Sequence, residues 1–292
     1  MNAFIKIVIS KSLLIYIIIE KLISSLAMNK IALKQIRLQY QTLDPCQPSP
    51  FPILADVGFR IYSQVDEDGI IHYIFSVIGE KSKQFIEIGT GNGLECNCAN
   101  LAINLGWHGL FIDCDQPAIE LGALYYSLHP DTKSYPPKFV CKKVSKENIN
   151  EIIISQGFNG EIDLLSIDID GIDYWILDSI SIVKPRVIIA EINPILGTNP
   201  ISVPYFSDFV HKEKDYYGAS LPAFKILLKR KGYRLIGTNR YGFNAFFLRE
   251  DIAPEFFSEV SVESCRIHPR FKEPYYQHGF EKISGMEYIK IE

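Results

Sequence analysis

The sequence contains no C-x-x-C pair and no His-x-x-x-His pair, so the usual spacings of a zinc site are missing. Its six cysteines, at 46, 96, 98, 114, 141 and 265, are spread along the chain. Cys96 and Cys98 stand two apart on a predicted helix and do not face each other. All six are expected to be reduced and mostly buried, a usage that fits a cytoplasmic protein. Excess positive charge is also lacking: 30 Lys+Arg against 34 Asp+Glu leave a formal net charge of -4. That balance gives no general attraction to a nucleic-acid backbone and favours a small molecule or a glycan as partner. A long uncharged apolar run is absent as well. The stretch from Phe4 to Met28 is apolar, but Lys6, Lys11, Glu20 and Lys21 interrupt it. Its uncharged part, Ser12 to Ile19, falls far short of the roughly 20 residues that span a bilayer. Residues 4–28 therefore read as a leader helix, packed on the domain or in peripheral contact with a membrane surface, or as an extension ahead of a true start at Met28. No small-x-small cleavage site marks a signal peptide. The six histidines are scattered and read as packing or surface residues.

The dinucleotide fingerprint G-x-G-x-x-G is missing too, because its third glycine would fall at Leu94. What stands there is Glu87-Ile88-Gly89-Thr90-Gly91-Asn92-Gly93, directly after the apolar Phe85-Ile86. A strand running into glycines at every second position is a turn where backbone approaches a ligand closely. With an acid two residues before the first glycine, it has the pattern of the S-adenosylmethionine (SAM) binding turns of Rossmann-like methyltransferases. A helix is expected over Glu95 to Gly106, then a short strand ending in Asp113-Cys114-Asp115. An acid at the end of the second strand, about 20 residues past the glycine turn, accepts hydrogen bonds from ribose hydroxyls. Asp113 sits at that offset, while Asp115 suits the cap of a helix starting near Gln116.

From residue 84 onward strands alternate with helical stretches, which predicts an α/β fold with a parallel sheet covered on both faces. The expected strands are Gln84 to Ile88, Leu110 to Asp113, Phe139 to Val144, Ile162 to Ile169, Val187 to Glu191, Tyr233 to Thr238 and Ala245 to Arg249. The last two are joined through Asn239 to Asn244 as a hairpin. Five parallel strands plus a terminal antiparallel hairpin make a Rossmann-like class I methyltransferase sheet. Residues 1–60 read as a helical leader, 61–250 as the SAM-binding domain and 251–292 as a tail that wraps the domain or builds an oligomer contact. Within the domain, 194–218 is long, proline-bearing and aromatic, the composition of an ordered lid, and includes His211. Ser220 caps a helix running to Arg230, which Gly232 ends.

Residues 162 to 175 hold an acidic series. Along a strand side chains alternate, so Asp168 and Asp170 are expected on one side at the carboxyl end, where ligands of open α/β sheets bind. The next strand brings Glu191 and Asn193 to the same edge, so four oxygen-bearing side chains are expected to converge. A carboxylate among Asp168, Asp170 and Glu191 can remove a proton from a hydroxyl acceptor, or the cluster can take Mg²⁺ or Ca²⁺. The plainer reading is that Asp168 orients the cofactor, Asp170 with Gly171 makes a turn and Asp173 starts a helix.

Ser63-Gln64, Glu67-Asp68-Gly69-Ile70, the glycine turn, Gly106-Trp107-His108-Gly109-Leu110, Leu165-Ser166-Ile167-Asp168-Ile169-Asp170-Gly171 and Glu191 together resemble the FkbM-type methyltransferases. The resemblance covers roughly residues 60 to 250. It implies a SAM-dependent O-methyltransferase acting on sugar or polyketide hydroxyls, with Glu87, Gly89 and Asp113 at the cofactor and Asp168 near the transferring methyl. Gly91 and Gly93 complete the expected cofactor turn. The chain departs from the family's pattern at Ser166, where Lys is usual, and at Asp170, where Glu is usual. Its Tyr217-Gly218-Ala219-Ser220-Leu221 segment marks a divergent subgroup. The alternative is a non-catalytic SAM-binding or scaffold protein of the same fold. A nicotinamide oxidoreductase fails at Leu94.

Overall fold

The structure, a computed structural model, describes residues 28–46, 51–210 and 213–292. The expectations for residues 4–27 and for His211 lie outside these described residues. No helix among the described residues is long and apolar enough to cross a membrane.

The strands are β1 (Gln84–Ile88), β2 (His108–Asp113), β3 (Lys138–Cys141), β4 (Gly160–Ile167), β5 (Val183–Glu191), β6 (Ile201–Ser202), β7 (Tyr233–Thr238), β8 (Asn244–Arg249) and β9 (Ile289–Lys290). Seven of them form one sheet in the order β3-β2-β1-β4-β5-β8-β7. Strands β1 to β5 run parallel, and β8 is antiparallel to both β5 and β7. This is the expected Rossmann-like arrangement, with the hairpin at one edge. Its two faces follow the period-two alternation of the strands. Ile86, Ile88, Leu110, Ile112, Leu165, Ile167 and Ile188 pack on one side with Ile153, Ile176 and Phe224 of three helices, Ile149–Ser155, Asp173–Ser179 and Leu221–Arg230. Phe85, Phe111, Leu164, Val187, Ile189 and Phe246 pack on the other with Ile74, Leu101 and Tyr125 of helices Glu67–Ile78, Ala99–Leu105 and Gln116–Leu128.

A buried ion pair locks the end of the sheet away from the glycine turn. Asp163 on β4 accepts from the Lys81, Ser82 and Lys83 N–H groups and from Arg186 Nη1 on β5 at 2.8 Å. Arg186 also donates to the Gly79 and Ile78 carbonyls that end helix Glu67–Ile78. Every charge there meets a partner, which is what makes its burial tolerable.

At the other end, Ile88 pairs with both Ile112 and Ile167, so the glycine turn emerges between the ends of β2 and β4. Gly89 has φ +84°, and a Cβ there would run into the carbonyl oxygen of Asp168. A glycine is thus required here by the backbone that follows β4. Gly91, at φ +56°, faces open space instead.

The helix expected from Glu95 begins only at Ala99. Glu87 is the reason: its carboxylate accepts from the Asn97 and Cys98 N–H groups at 2.8 and 2.9 Å, holding residues 92–98 out as an irregular loop. Of the six unpaired cysteines only Cys96 and Cys98 are buried, because Cys46 and Cys114 fall in exposed turns.

The lid and the tail pack on each other. Residues 194–218 contain a short 3₁₀ turn, Pro194–Leu196, and β6, which pairs antiparallel with β9 of the tail. Ile195, Leu196, Val203 and Tyr216 of the lid share an apolar cluster with Phe271, Tyr276 and Ile283 of the tail. Residues 271–290 of the tail thus pack on the lid.

Gly89→Ala is expected to cost about 3 kcal/mol or more, because backbone rather than a flexible side chain blocks the new methyl. Gly91→Ala should cost only about 1 kcal/mol, the penalty of a left-handed non-glycine residue. Urea unfolding of the two variants compares them, and equal losses would contradict the close approach to Asp168.

Candidate active site

One cavity of about 870 Å³ opens along the carboxyl edge of the sheet. Its floor is the glycine turn, Gly89 to Asn92, with Glu87 beneath it. One wall holds Asp113, Cys114, Ala118 and Val144; the opposite wall holds Asp168, Ile169 and Asp170; Gln64, Asn244 and the lid residues Phe209 and Val210 close the rim.

Asp113 is half-exposed at the end of β2. Its Oδ2 accepts from the Gly91 N–H at 2.7 Å and its Oδ1 from the Asp115 N–H at 2.9 Å. The carboxylate therefore shapes the glycine turn while still facing the cavity, with lone pairs left for a ligand hydroxyl. Asp115 caps helix Gln116–Leu128 through the Ala118 N–H, as its position suggested. Glu87 lines the cavity but is 3% exposed, and both its oxygens serve backbone N–H groups. Burial pushes its pKa up, against the hydrogen bonds from Cys96, Cys98 and Asn97. Gly93 has φ +69° and packs against Phe139, outside the cavity lining.

Asp168, Asp170 and Glu191 each offer a carboxylate oxygen, and these oxygens all lie within 4.8 Å of one another. Period-two alternation is not what brings the two aspartates together. Strand β4 ends at Ile167, and Asp170 has φ +51°, so the chain has already turned. Asp173 builds that turn by accepting from the Ile169 and Gly171 N–H groups at 2.7 and 3.0 Å. It also starts helix Asp173–Ser179. The expected fourth member, Asn193, does not join. Its amide donates to the Asp215 and Tyr217 carbonyls and its oxygen accepts from the Ile195 N–H, so it tethers the lid instead.

Burial pushes the Asp168 pKa up to about 7; a hydrogen bond from Glu191 opposes this, and the charges of Asp173, Asp170 and Glu87 add to it. Burial, then the charges of Asp168, Asp173 and Asp170, hold Glu191 well above the usual carboxylate range. Two close, half-buried carboxyls retain a proton between them, with Glu191 as its donor to Asp168. Tyr217, raised by its own burial and by Glu191, stays a phenol beside them. Sequence reasoning missed Tyr217 as a neighbour of the acids, and missed Gln64, Phe209 and Asn244 as cavity residues. Along the chain Asn244 reads only as the end of a hairpin link, and nothing in its local sequence signals that β8 inserts beside β5. The buried His72 bonds the Leu33 carbonyl and the exposed His278 bonds Glu281, in keeping with structural roles.

The sheet order is that of the Rossmann-like methyltransferases. Residues 92–235 match the family model described as the methyltransferase FkbM domain, and over that span the chain is a methyltransferase domain of this family. The match takes in Asp113, Asp168, Asp170 and Glu191. No curated protein matches the chain. Solved structures with a likeness to it include a SAM-dependent methyltransferase from Aquifex aeolicus, 12% identical, covering 58% of this chain and 83% of that one at a TM-score of 0.36. The O-methyltransferase TomG from Streptomyces achromogenes, in complex with SAM, is 16% identical over 57% and 71% of the two chains, at 0.37. The CcbJ methyltransferase from Streptomyces caelestis is 9% identical over 58% and 84%, at 0.39.

Because the Asp168 pKa is raised from 3.8 to about 7, the folded state holds a proton that the unfolded chain has released across that window. This group's contribution to stability therefore falls as pH rises from about 4 to about 7. Asp168→Asn removes the penalty. Its melting temperature relative to the parent protein should move upward between pH 5 and pH 8, and a pH-independent difference would reject the buried-acid assignment.

Proposed function

We propose that this chain transfers the methyl group of SAM to a hydroxyl of a small-molecule or glycan acceptor. The supporting observation is the single cavity that joins the glycine turn and Asp113 to the acid cluster. At about 870 Å³ it lies in the upper part of the range of about 300–1,000 Å³ for ligand pockets, which suits two ligands better than one. The lining fits an adenosyl sulfonium. Asp113 stands at the distance along the fold where ribose hydroxyls are met, Ala118 and Val144 offer apolar surface to a base, and the open space over Gly91 admits a close approach.

SAM, when bound, supplies an electrophilic methyl on a positively charged sulfur. The protein's part is to hold the acceptor in line with that methyl and to take its proton. Asp168 is the base, its pKa of about 7 matching neutral conditions, where a catalytic base works best. Glu191, through its shared proton, keeps Asp168 oriented, and Asp170 completes the anionic rim that favours the sulfonium. Glu87 and Gly89 act one layer below, by holding the floor of the cofactor cradle in shape. In this reading residues 61–250 are the catalytic domain and Phe209 and Val210 of the lid border the acceptor.

Isothermal titration with SAM, followed by transfer from methyl-tritiated SAM to a panel of glycans and small hydroxyl compounds, tests the reading. Asp113→Ala should raise the dissociation constant for SAM by about tenfold or more, the weight of a hydrogen bond to a charged group. Asp168→Asn should bind SAM but lose roughly 10²- to 10⁴-fold in transfer rate. Unchanged SAM affinity in Asp113→Ala would refute the ribose role. SAM binding without transfer to any acceptor would favour the scaffold alternative.

A further inference from the structure

Asn244, the first residue of β8, is 4% exposed and lines the same cavity as Asp168 and Asp170. Its Nδ2 donates to Glu67 Oε1 at 2.9 Å. A carboxylate only accepts, so Glu67 decides which end of the carboxamide faces it. Glu67 is itself held by the Asn239 amide at 2.8 Å and the Val65 N–H at 3.0 Å. The Asn244 oxygen is thereby turned away from Glu67, and Oδ1 has no hydrogen-bond partner among the described residues. A buried acceptor left unpaired costs about 1–3 kcal/mol, and such a group in a folded protein calls for something that completes it.

The register shows what stands next to it. Asn244 is the antiparallel partner of Glu191, so the two side chains project from the same face of the sheet with Cβ atoms about 5 Å apart. Glu191 in turn shares its oxygen cluster with Asp168 and Asp170. Three carboxylates and one carboxamide oxygen are the ligand types of a hard divalent cation. Oxygens within 4.8 Å of one another can lie on opposite sides of an ion with bonds of about 2.1–2.4 Å.

We infer that Asp168, Asp170, Glu191 and the Asn244 carboxamide oxygen form a binding site for one oxygen-ligated divalent cation, Mg²⁺ or Ca²⁺. The ion displaces the proton that Asp168 and Glu191 share, which leaves to solvent, offsets the charge of the acids and completes the unpaired Oδ1. Glu67, which does not touch the ion, is a positioning residue that aims the carboxamide. Under the methyl-transfer reading the ion also gathers the acceptor hydroxyl and makes it more acidic; that consequence rests on the proposed function, whereas binding of the ion does not.

The test uses the full chain without SAM or acceptor. Titration with Mg²⁺ and Ca²⁺ by calorimetry, and with Mn²⁺ followed by electron paramagnetic resonance, should show one saturable site. Asp170→Asn, a change at an exposed position, should weaken Mn²⁺ binding by at least about tenfold, as should Asn244→Leu. Circular dichroism and melting curves check that both variants fold, and Asp170→Asn carries the test if Asn244→Leu does not. No saturable site in the parent protein, or parent-like Mn²⁺ affinity in a folded variant, overturns the proposal. SAM titration without metal runs alongside: cation binding without SAM binding would sink the methyl-transfer reading and leave the ion site standing, and the reverse result would do the opposite.

Discussion

The contact on which this molecule's working edge depends is the passage of Gly89 against the carbonyl of Asp168. Strands β1 and β4 are neighbours, and their ladder runs one step past the strand ends through the Asp168 N–H to the Ile88 carbonyl at 2.9 Å. With no room for a Cβ between them, the glycine turn and the acidic loop are pressed into one another. The floor of the cavity and its anionic wall are therefore a single unit, and a shift in either would displace both.

Around that contact the protein concentrates charges of one sign in a partly buried place. Asp168, Glu191 and Asp173 are each raised by burial first, so the site carries a cost even when folded. The surroundings offset it with backbone donors: Asp173 takes those of Ile169 and Gly171, and Glu87 takes those of Asn97 and Cys98. The opposite end of the sheet is built on the contrary plan, with Asp163 and Arg186 neutralising each other. Strong pairing at one end and like charges at the other separate the part that holds the fold from the part suited to chemistry.

Much of this was readable along the chain. The strands with a clean apolar run, such as Gln84–Ile88 and Tyr233–Thr238, fall where alternation puts them, and Asp115 and Ser220 cap their helices because capping needs only a side chain and an N–H three residues on. The readings that failed were those in which a distant group overrides local preference. Glu87 delays a helix start from ten residues upstream, and Asn193 is drawn off to the lid carbonyls. The tail, for which no element was expected, holds a helix of its own, Pro274–Ile283, whose Tyr276 and Ile283 turn toward the lid.

The sequence by itself determined the alternating α/β order, the glycine turn, the acids at two strand ends and the lack of excess positive charge, since each depends on period, spacing or composition. Tertiary structure alone decided which of those acids meet, that Gly89 meets the backbone following β4, and that Asn244 stands beside Glu191 with its oxygen unpaired. Those outcomes depend on β8 entering the sheet between β5 and β7, more than fifty residues after Glu191. Pairing across such a distance is set by the global packing of the sheet, which no local pattern encodes.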